Sequence, residues 1–313
     1  MGRIMTERRV VAAAIQGVIV TALVIGGTTP AFAAKPSGHG GGGTATPTGN
    51  DVSYPQCGSS LPASPAFGIV GVTGGLANDL NQCFGPSSPY PSYTESELYW
   101  AVAAAVGGTS QPKASLYINT ADPGNVYNGT VIADWPTSGS TPYGSCNTTT
   151  VTLTSGTYTL GANSNACAWQ YGYNKATQDA SWLGSAATAI NNQSPPVTVS
   201  GAAATYPWWL DVETANTWQS DTAMNVADLQ GMIAGLQAAG ATTVGAYSTS
   251  SQWDTITGGT SAASGSLWQI PDWIPGARKL SGAEANCQQV SFTGGIVTVT
   301  QWFSRPDDGD YAC

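Results

Sequence analysis

Two acidic side chains follow a strongly apolar segment near the middle of the chain. Residues 208–213 read WWLDVE, and the apolar run predicts a buried strand. Side chains two positions apart in a strand lie on the same face, so Asp211 and Glu213 should project together. Two carboxyl groups beside one bond can cleave a glycoside by acid catalysis. The alternative is an ordinary solvated strand end, but only 9% of residues are charged, which favours the catalytic interpretation.

The residue types that the chain lacks exclude several other mechanisms. Its single histidine, His39, lies in a Gly-rich segment near the N-terminus. A Ser-His-Asp or Cys-His mechanism therefore has no histidine base in the rest of the chain, and a histidine-ligated metal is excluded on the same ground. No Cys-x-x-Cys spacing indicates another metal centre, and no phosphate-binding motif follows Gly74 and Gly75. We expect no metal and no cofactor, with acid–base chemistry carried by carboxylates, tyrosines or lysines.

The elements that must position these side chains alternate along the chain. Apolar and β-branched runs predict strands at 51–54, 66–73, 114–119, 207–212, 243–248, 266–270 and 296–302. Amphipathic stretches predict helices at 93–106, 169–190 and 225–239. This alternation predicts an α/β fold of the TIM type, a (β/α) barrel that need not be regular. The segment 124–165 is predicted to be an inserted loop that contains a β-hairpin.

The C-terminal ends of barrel strands carry functional side chains, and this rule gives the substrate-binding candidates. They are Asp51, Tyr247, Trp268, Trp302, Asp308 and Asp310. Some of the 11 tryptophans should be core residues, whereas those that follow strands could stack on sugar faces. Asp51 could instead cap a turn, and the acidic run 307–310 could be a turn or a weak Ca²⁺ loop.

The N-terminal segment has the features of an export signal. Three arginines, at positions 3, 8 and 9, precede an apolar run and the small-x-small site Ala31-Phe32-Ala33. We predict a signal peptide over 1–34, with cleavage after Ala33 or Ala34 left open. Residues 35–50 are rich in Gly, Pro and Thr and predict a flexible linker, which leaves 51–313 as one domain. The sequence predicts a secreted monomer without a membrane-spanning segment.

Charge and cysteine content are consistent with that location. The chain has 9 basic and 18 acidic residues, and three of the basic ones lie in the predicted signal, so no footprint for nucleic acid is present. Six cysteines follow the signal: Cys57, Cys83, Cys146, Cys167, Cys287 and Cys313. An even number in an exported chain predicts three disulfides, although the connectivity is not derivable. Sequential pairing is favoured because each bridge would then close a local segment.

Several short motifs resemble a known family when they are taken in order. Asp51–Tyr54, Leu210–Glu213, Gly245–Ser248 and Thr300–Trp302 are similar to segments of family 25 glycoside hydrolases, the muramidase-type lysozymes built on a (β/α) barrel. A nearer resemblance is to secreted actinobacterial glycoside-hydrolase-like proteins, through DVSYPQC, FGIVGV, WWLDVET, SFTGG and DGDYAC. The resemblance covers about 51–313.

The resemblance implies roles for individual residues. Glu213 matches the general acid, and Asp211 matches the carboxylate that orients or stabilises the N-acetyl group of the substrate. Asp51 matches the first-strand aspartate, Tyr247 the fifth-strand tyrosine, and Asp308 or Asp310 the late aspartate. The implied substrate is a β-1,4-linked cell-wall or extracellular polysaccharide, with peptidoglycan as the first candidate.

Two departures from the family pattern favour an alternative. The second strand ends in Val72-Thr73 without the usual basic residue, and the insertion after Asp122 is foreign to the muramidases. The alternative is a non-catalytic barrel that binds carbohydrate or cell wall and has lost turnover.

Overall fold

The computed structural model describes residues 47–313, which contain fourteen strands and five α-helices. The strands are β1 (Gly49–Val52), β2 (Gly68–Gly71), β3 (Ala114–Asn119), β4 (Val126–Tyr127), β5 (Thr130–Val131), β6 (Ser140–Thr141), β7 (Gly144–Ser145), β8 (Thr148–Leu153), β9 (Gly156–Gly161), β10 (Trp208–Asp211), β11 (Val244–Tyr247), β12 (Asp272–Ala277), β13 (Val297–Trp302) and β14 (Asp308–Ala312). The helices are α1 (Glu97–Ala104), α2 (Asn165–Asn191), α3 (Thr222–Ala238), α4 (Ser250–Thr257) and α5 (Leu280–Asn286). The predicted signal peptide and most of the predicted linker lie outside the described residues.

Eight of these strands close into a barrel in the order β1-β14-β13-β12-β11-β10-β3-β2. Neighbouring strands are parallel except at β14, which runs antiparallel to both β13 and β1. The short connection between β13 and β14 explains this, because a parallel partner needs a long crossover. The predicted TIM-type α/β barrel is therefore confirmed, and one reversed strand makes it irregular.

Side chains alternate between the two faces of each strand, so that one set packs inside the barrel and the other packs against the surrounding helices. In β10, Trp208 and Leu210 pack in the core under the helices, whereas Trp209 packs inside the barrel. The other interior side chains are Phe67, Ile69, Trp273 and Val299, with Tyr117 and Tyr247 above them. Gly245 makes room for this packing, because a Cβ there would lie 2.4 Å from the Trp209 ring. Side chains therefore fill the lower part of the barrel interior, so a ligand-binding cavity must lie at one end of the barrel.

Helices α2 and α3 form the closest helix pair of the coat. Small residues allow this approach: a Cβ at Gly172 would lie 2.1 Å from the carbonyl oxygen of Asp228. The contact brings Asp228 of α3 beside Lys175 of α2, and both side chains are buried. A second group of charged side chains therefore lies between these helices, away from the barrel axis.

The predicted insertion is present as three small hairpins. They pair β4 with β5, β6 with β7, and β8 with β9, between β3 and α2. The three predicted disulfides join sequential cysteines, with Cα–Cα distances of 5.6 Å (Cys57–Cys83), 4.6 Å (Cys146–Cys167) and 5.5 Å (Cys287–Cys313). No helix within 47–313 is both long enough and apolar enough to cross a bilayer.

One predicted strand is wrong, and four elements outside the insertion were not predicted: β12, β14, α4 and α5. The segment 266–270 belongs to a 3₁₀ turn and a loop, where Gly265 and Gln269 have φ of 59° and 65°. Its apolar residues resemble a strand because Leu267 is buried in the core, but the barrel strand is β12, which begins at Asp272. Helices α4 and α5 were not predicted because they are short. Strand β14 was not predicted because its acidic, Gly-containing start resembles a turn.

Candidate active site

A cavity of about 150 Å³ opens at the C-terminal ends of the parallel barrel strands. Its lining residues are Asp51, Tyr117, Asp211, Glu213, Tyr247, Trp273, Gln301 and Asp308. Asp211 and Tyr247 are the last residues of β10 and β11. Asp308 joins them because β14 runs antiparallel, so that its first residue lies beside the ends of the other strands. Four carboxyl groups and no cation line this space.

The structure brings five of the predicted site residues into this cavity: Asp51, Asp211, Glu213, Tyr247 and Asp308. The other three lie elsewhere. Asp310 is fully buried beneath the cavity. Trp302 is on the outer face of β13, since its neighbour Gln301 points inward, and its ring lies over Gly309. Trp268 precedes β12, so it lies at the opposite end of the barrel, against Gly294.

The side-chain amide of Asn119 holds Asp211, and Thr73 in turn holds that amide. Its side chain is 6% exposed, and Asn119 Nδ2 donates to its Oδ2 at 2.5 Å. Thr73 Oγ1 donates to Asn119 Oδ1 at 2.9 Å and accepts from the Asn119 backbone N–H at 2.8 Å. Burial, together with the nearby Glu213 and Asp51 carboxylates, raises the pKa of Asp211 well above its usual value, and the Asn119 hydrogen bond opposes this. Asp211 Oδ1 has no partner among the described residues.

Glu213 lies two residues after Asp211, just past the end of β10. Its backbone is anchored, because Trp218 Nε1 donates to the Glu213 carbonyl at 2.8 Å. Gln252 Oε1 accepts from the Thr214 N–H at 2.7 Å, which leaves the Gln252 amide nitrogen as the donor to the Glu213 side chain. Burial raises the pKa of Glu213, and the Gln252 hydrogen bond lowers it. The side chain is only half-buried, so it remains within reach of a ligand.

Three side chains joined in a row by hydrogen bonds line the other side of the cavity. Tyr247 Oη donates to Gln301 Oε1 at 3.0 Å, and Gln301 Nε2 donates to Asp51 Oδ2 at 2.8 Å. Burial raises the pKa of Asp51 to about 6, with the Gln301 hydrogen bond opposing and Asp308 adding to the rise. The row therefore fixes the ring of Tyr247 and the carboxyl of Asp51 together.

Asp310 supports this row from below. Trp273 Nε1 donates to its Oδ1 at 3.0 Å. Burial and the adjacent Asp51 raise the pKa of Asp310 well above its usual value. The other carboxylate oxygen of Asp310, Oδ2, has no hydrogen-bond partner among the described residues.

Sequence reasoning missed three residues of the site: Tyr117, Trp273 and Gln301. Asn119 and Tyr117 share the inner face of β3, so period-two alternation in the predicted strand 114–119 was the available signal. Gln301 directly precedes the Trp302 that was chosen instead. Trp273 was missed because its strand was placed at 266–270.

The described residues contain one cluster with the spacing of a metal site. The possible ligand atoms of Cys57, Cys83 and Glu97 lie within 4.8 Å of one another. Cys57 and Cys83 form a disulfide, which removes both thiolates and leaves Glu97 alone. The cavity carboxylates do not form such a cluster within 47–313.

Comparisons with known proteins relate this region to lysozymes. A family model described as Lysozyme-like protein 1 matches residues 186–274, which contain β10, Glu213 and β11. The protein named "Probable GH family 25 lysozyme 4" of Dictyostelium discoideum is 43% identical over 65 residues, covering 21% of this chain. The chain spans 28% of the length of that relative. The resemblance to family 25 glycoside hydrolases is confirmed by these two matches.

Solved structures of lower similarity carry related names. The bacterial lysozyme from Streptomyces coelicolor has a TM-score of 0.41 and 16% identity, over 86% of this chain and 93% of that chain. The muramidase from Trichobolus zukalii has a TM-score of 0.40 and 12% identity, over 85% and 93%. Both TM-scores lie below 0.5.

Proposed function

We propose that this chain is an exported glycoside hydrolase of the lysozyme type, which cleaves a β-1,4-linked cell-wall polysaccharide, with peptidoglycan as the first substrate. The observation that carries the proposal is the position of Asp211 and Glu213 at the end of β10, together in a cavity that no cation lines. The confirmed resemblance to family 25 supports the same reaction class.

Glu213 is the proton donor in this proposal. A general acid must be protonated near the working pH and must reach the leaving oxygen. The raised pKa of Glu213 favours the first requirement, and its half-exposed position at the cavity rim favours the second. As the bond between the sugar carbon and the glycosidic oxygen breaks, Glu213 transfers its proton to that oxygen, and water then completes the hydrolysis.

Asp211 is the partner carboxylate. Asn119 donates to its Oδ2, and its buried Oδ1 has no partner among the described residues. This oxygen would accept the N–H of an N-acetyl group on the sugar or stabilise positive charge at the reacting carbon. Asp51, Asp308 and Tyr247 position substrate and water around the pair, and the predicted binding roles of Trp268, Trp302 and Asp310 are not part of the proposal.

Export and domain organisation complete the proposal. Three disulfides are consistent with an oxidising compartment, as expected for a secreted chain. The proposed organisation is a signal peptide over 1–34, a linker over 35–50 and a single, monomeric hydrolase domain over 51–313.

The test is hydrolysis of purified peptidoglycan, measured as release of reducing ends by the mature chain. We expect activity in the wild type and in Glu284→Gln, a matched change at an exposed glutamate. Glu213→Gln should lose at least about 100-fold, since general acid catalysis contributes roughly 10²–10⁴-fold. Equal activity of Glu213→Gln and wild type would overturn the assignment. Saturable binding of glycan fragments without any release would instead support the non-catalytic barrel.

A further inference from the structure

The disulfide Cys57–Cys83 borders a cleft of about 320 Å³ that is separate from the acidic cavity. The cleft lies between the loop 56–61, which follows β1, and residues 94–100 at the start of α1. The two sulfurs differ in access, because Cys57 is half-buried and lines the cleft, whereas Cys83 is completely buried. A reagent in the cleft can therefore reach the sulfur of Cys57 but not that of Cys83.

The carboxyl group of Glu97 lies beside both sulfurs of this disulfide. One of its oxygens and the Sγ atoms of Cys57 and Cys83 lie within 4.8 Å of one another. Within 47–313, neither of the other two disulfides has a carboxyl oxygen as close to both of its sulfurs. The Glu97 N–H donates to the Cys83 carbonyl at 2.9 Å, which fixes the start of α1 against this cysteine. This disulfide is therefore the one in the described part of the chain with a proton donor next to it.

Asn81 determines which oxygen of Glu97 carries the proton. Its Nδ2 donates to Glu97 Oε2 at 2.7 Å and to the Gly71 carbonyl at 2.8 Å, and its Oδ1 accepts from the Cys83 N–H at 3.0 Å. Glu97 Oε1 is buried and has no hydrogen-bond partner among the described residues. Because Oε2 accepts, the proton of the neutral acid belongs on Oε1. Burial favours this neutral form and raises the pKa of Glu97 to about 7, with the Asn81 hydrogen bond opposing the rise.

We propose that Cys57–Cys83 is a site of exchange with an external thiol, in which Glu97 protonates the sulfur of Cys83 as it leaves. A thiolate in the cleft attacks the Sγ of Cys57, so that a mixed disulfide forms and the Cys57–Cys83 bond breaks. The electron pair of that bond stays on the Cys83 sulfur, which takes the proton of Glu97, and the carboxylate then regains a proton from water. Without this proton, the reaction would leave a thiolate in buried surroundings, where a charge is costly.

A second external thiol completes the reduction. Its thiolate attacks the external sulfur of the mixed disulfide, so that Cys57 leaves and takes a proton from water, while the two external thiols end as one disulfide. The bridge joins the loop after β1 to the loop after β2, and its reduction would untie these two segments. Exchange at this bridge goes beyond the proposed hydrolysis and does not depend on it.

The test measures how fast dithiothreitol reduces each disulfide in the folded mature chain. Free thiols are alkylated at intervals and assigned by mass spectrometry, so that the three bridges are followed separately. At about pH 6, Glu97→Gln should slow the reduction of Cys57–Cys83 by about 100-fold, the lower end of what general acid catalysis contributes. The matched control is Glu95→Gln, which removes an exposed carboxyl group from the same cleft and should leave the rate within about twofold.

The pH dependence separates proton transfer from a structural effect. The ratio of the wild-type rate to the Glu97→Gln rate should fall toward one between about pH 6 and about pH 9, because Glu97 loses its proton over this range. The thiolate content of the reagent is the same for both proteins and cancels in the ratio. Tyr117, whose pKa is raised well above its usual value by burial and by nearby carboxylates that include Glu97, stays neutral throughout.

Three results would overturn the exchange site. They are equal rates for wild type and Glu97→Gln at about pH 6, a ratio of rates that does not change with pH, or no reduction of Cys57–Cys83 while the chain stays folded. A merely structural role of Glu97 predicts the opposite sign, since a loosened bridge in the variant would be reduced faster than in wild type at every pH.

Discussion

Within residues 47–313, carboxyl groups form two clusters, and one of them lines a cavity. The mouth cluster consists of Asp51, Asp211, Glu213 and Asp308. The helix-layer cluster consists of Asp122, Asp179 and Asp228 with Lys175 and Asp134, around the contact of α2 and α3. Burial raises the pKa of carboxyl groups in both clusters, so a perturbed pKa does not by itself identify a functional site.

The clusters differ in their cation and in their access to solvent. Lys175 lies in the helix-layer cluster, where it pairs with Asp134 and lowers the pKa of Asp179 and Asp228 against the effect of burial. Asp179 and Asp228 are closed off from solvent, whereas Glu213 at the mouth is only half-buried. A cluster without a cation that a ligand can reach suits chemistry, whereas a closed cluster around a single lysine suits packing.

The largest expected effect separates the clusters by activity. Glu213→Gln should lower the rate of peptidoglycan hydrolysis by roughly 10³-fold, about 4 kcal/mol of transition-state stabilisation. Asp228→Asn removes a more deeply buried carboxyl group from the helix-layer cluster and should leave the rate within about twofold. Rates are measured on protein whose thermal unfolding shows that it is folded. A comparable loss of rate in folded Asp228→Asn would erase the distinction.

Glu97 provides a buried carboxyl group outside both clusters. Asn81 Nδ2 donates to its Oε2 at 2.7 Å, and burial raises its pKa from 4.5 to about 7. The folded state therefore binds the proton more tightly than the unfolded state, and the stability from this group is lost as the pH rises from about 4.5 through about 7.

We expect the loss at Glu97 to be about 3 kcal/mol of unfolding free energy. Glu97→Gln should flatten the pH dependence by that amount in urea unfolding at pH 5 and pH 8, and exposed Glu284→Gln should not. Unchanged pH dependence in Glu97→Gln would show that burial alone does not perturb a lone carboxyl group here.

Removing the cation tests what compensates the helix-layer cluster. Lys175→Met should lower the unfolding free energy at pH 7 by about 2 kcal/mol, because Asp179 and Asp228 lose their only nearby positive charge among the described residues. The loss is reduced because the ion-pair partner, Asp134, is 42% exposed and screened by water. Urea unfolding of Lys175→Met is compared with that of Lys113→Met at the surface. Equal stability of the two variants would mean that Lys175 does not compensate the cluster.

The smallest effect concerns coupling inside the mouth cluster. Besides burial, the charges of Glu213 and Asp51 raise the pKa of Asp211. Asp51→Asn should therefore lower the pKa of the pair, so that the proton is lost earlier and the alkaline limb of the kcat/KM profile moves to lower pH. Asp228→Asn should leave that limb in place. Movement of the limb to higher pH in Asp51→Asn would contradict the coupling.

Local sequence spacing determined a large part of the site. Period-two alternation after an apolar run was enough to place Asp211 and Glu213 together, because that geometry depends only on one strand. The absence of a histidine after position 39 restricted the chemistry without reference to the fold. The sequential cysteine pairs lie 21 to 26 residues apart, so local proximity was a sound guide.

Contacts between distant segments were decided only by the tertiary structure. Asp308 and Asp310 are alike in sequence, but the register Asp51↔Asp308 in the reversed strand β14 puts Asp308 in the cavity, while Trp273 and Asp51 bury Asp310. A reversed strand and its register arise from pairing across some 250 residues, which no local pattern encodes. Separation of Lys175 from Arg278 has the same origin. One cation is enclosed between two helices and the other is exposed just past the end of β12, because folding decides which charges meet a partner.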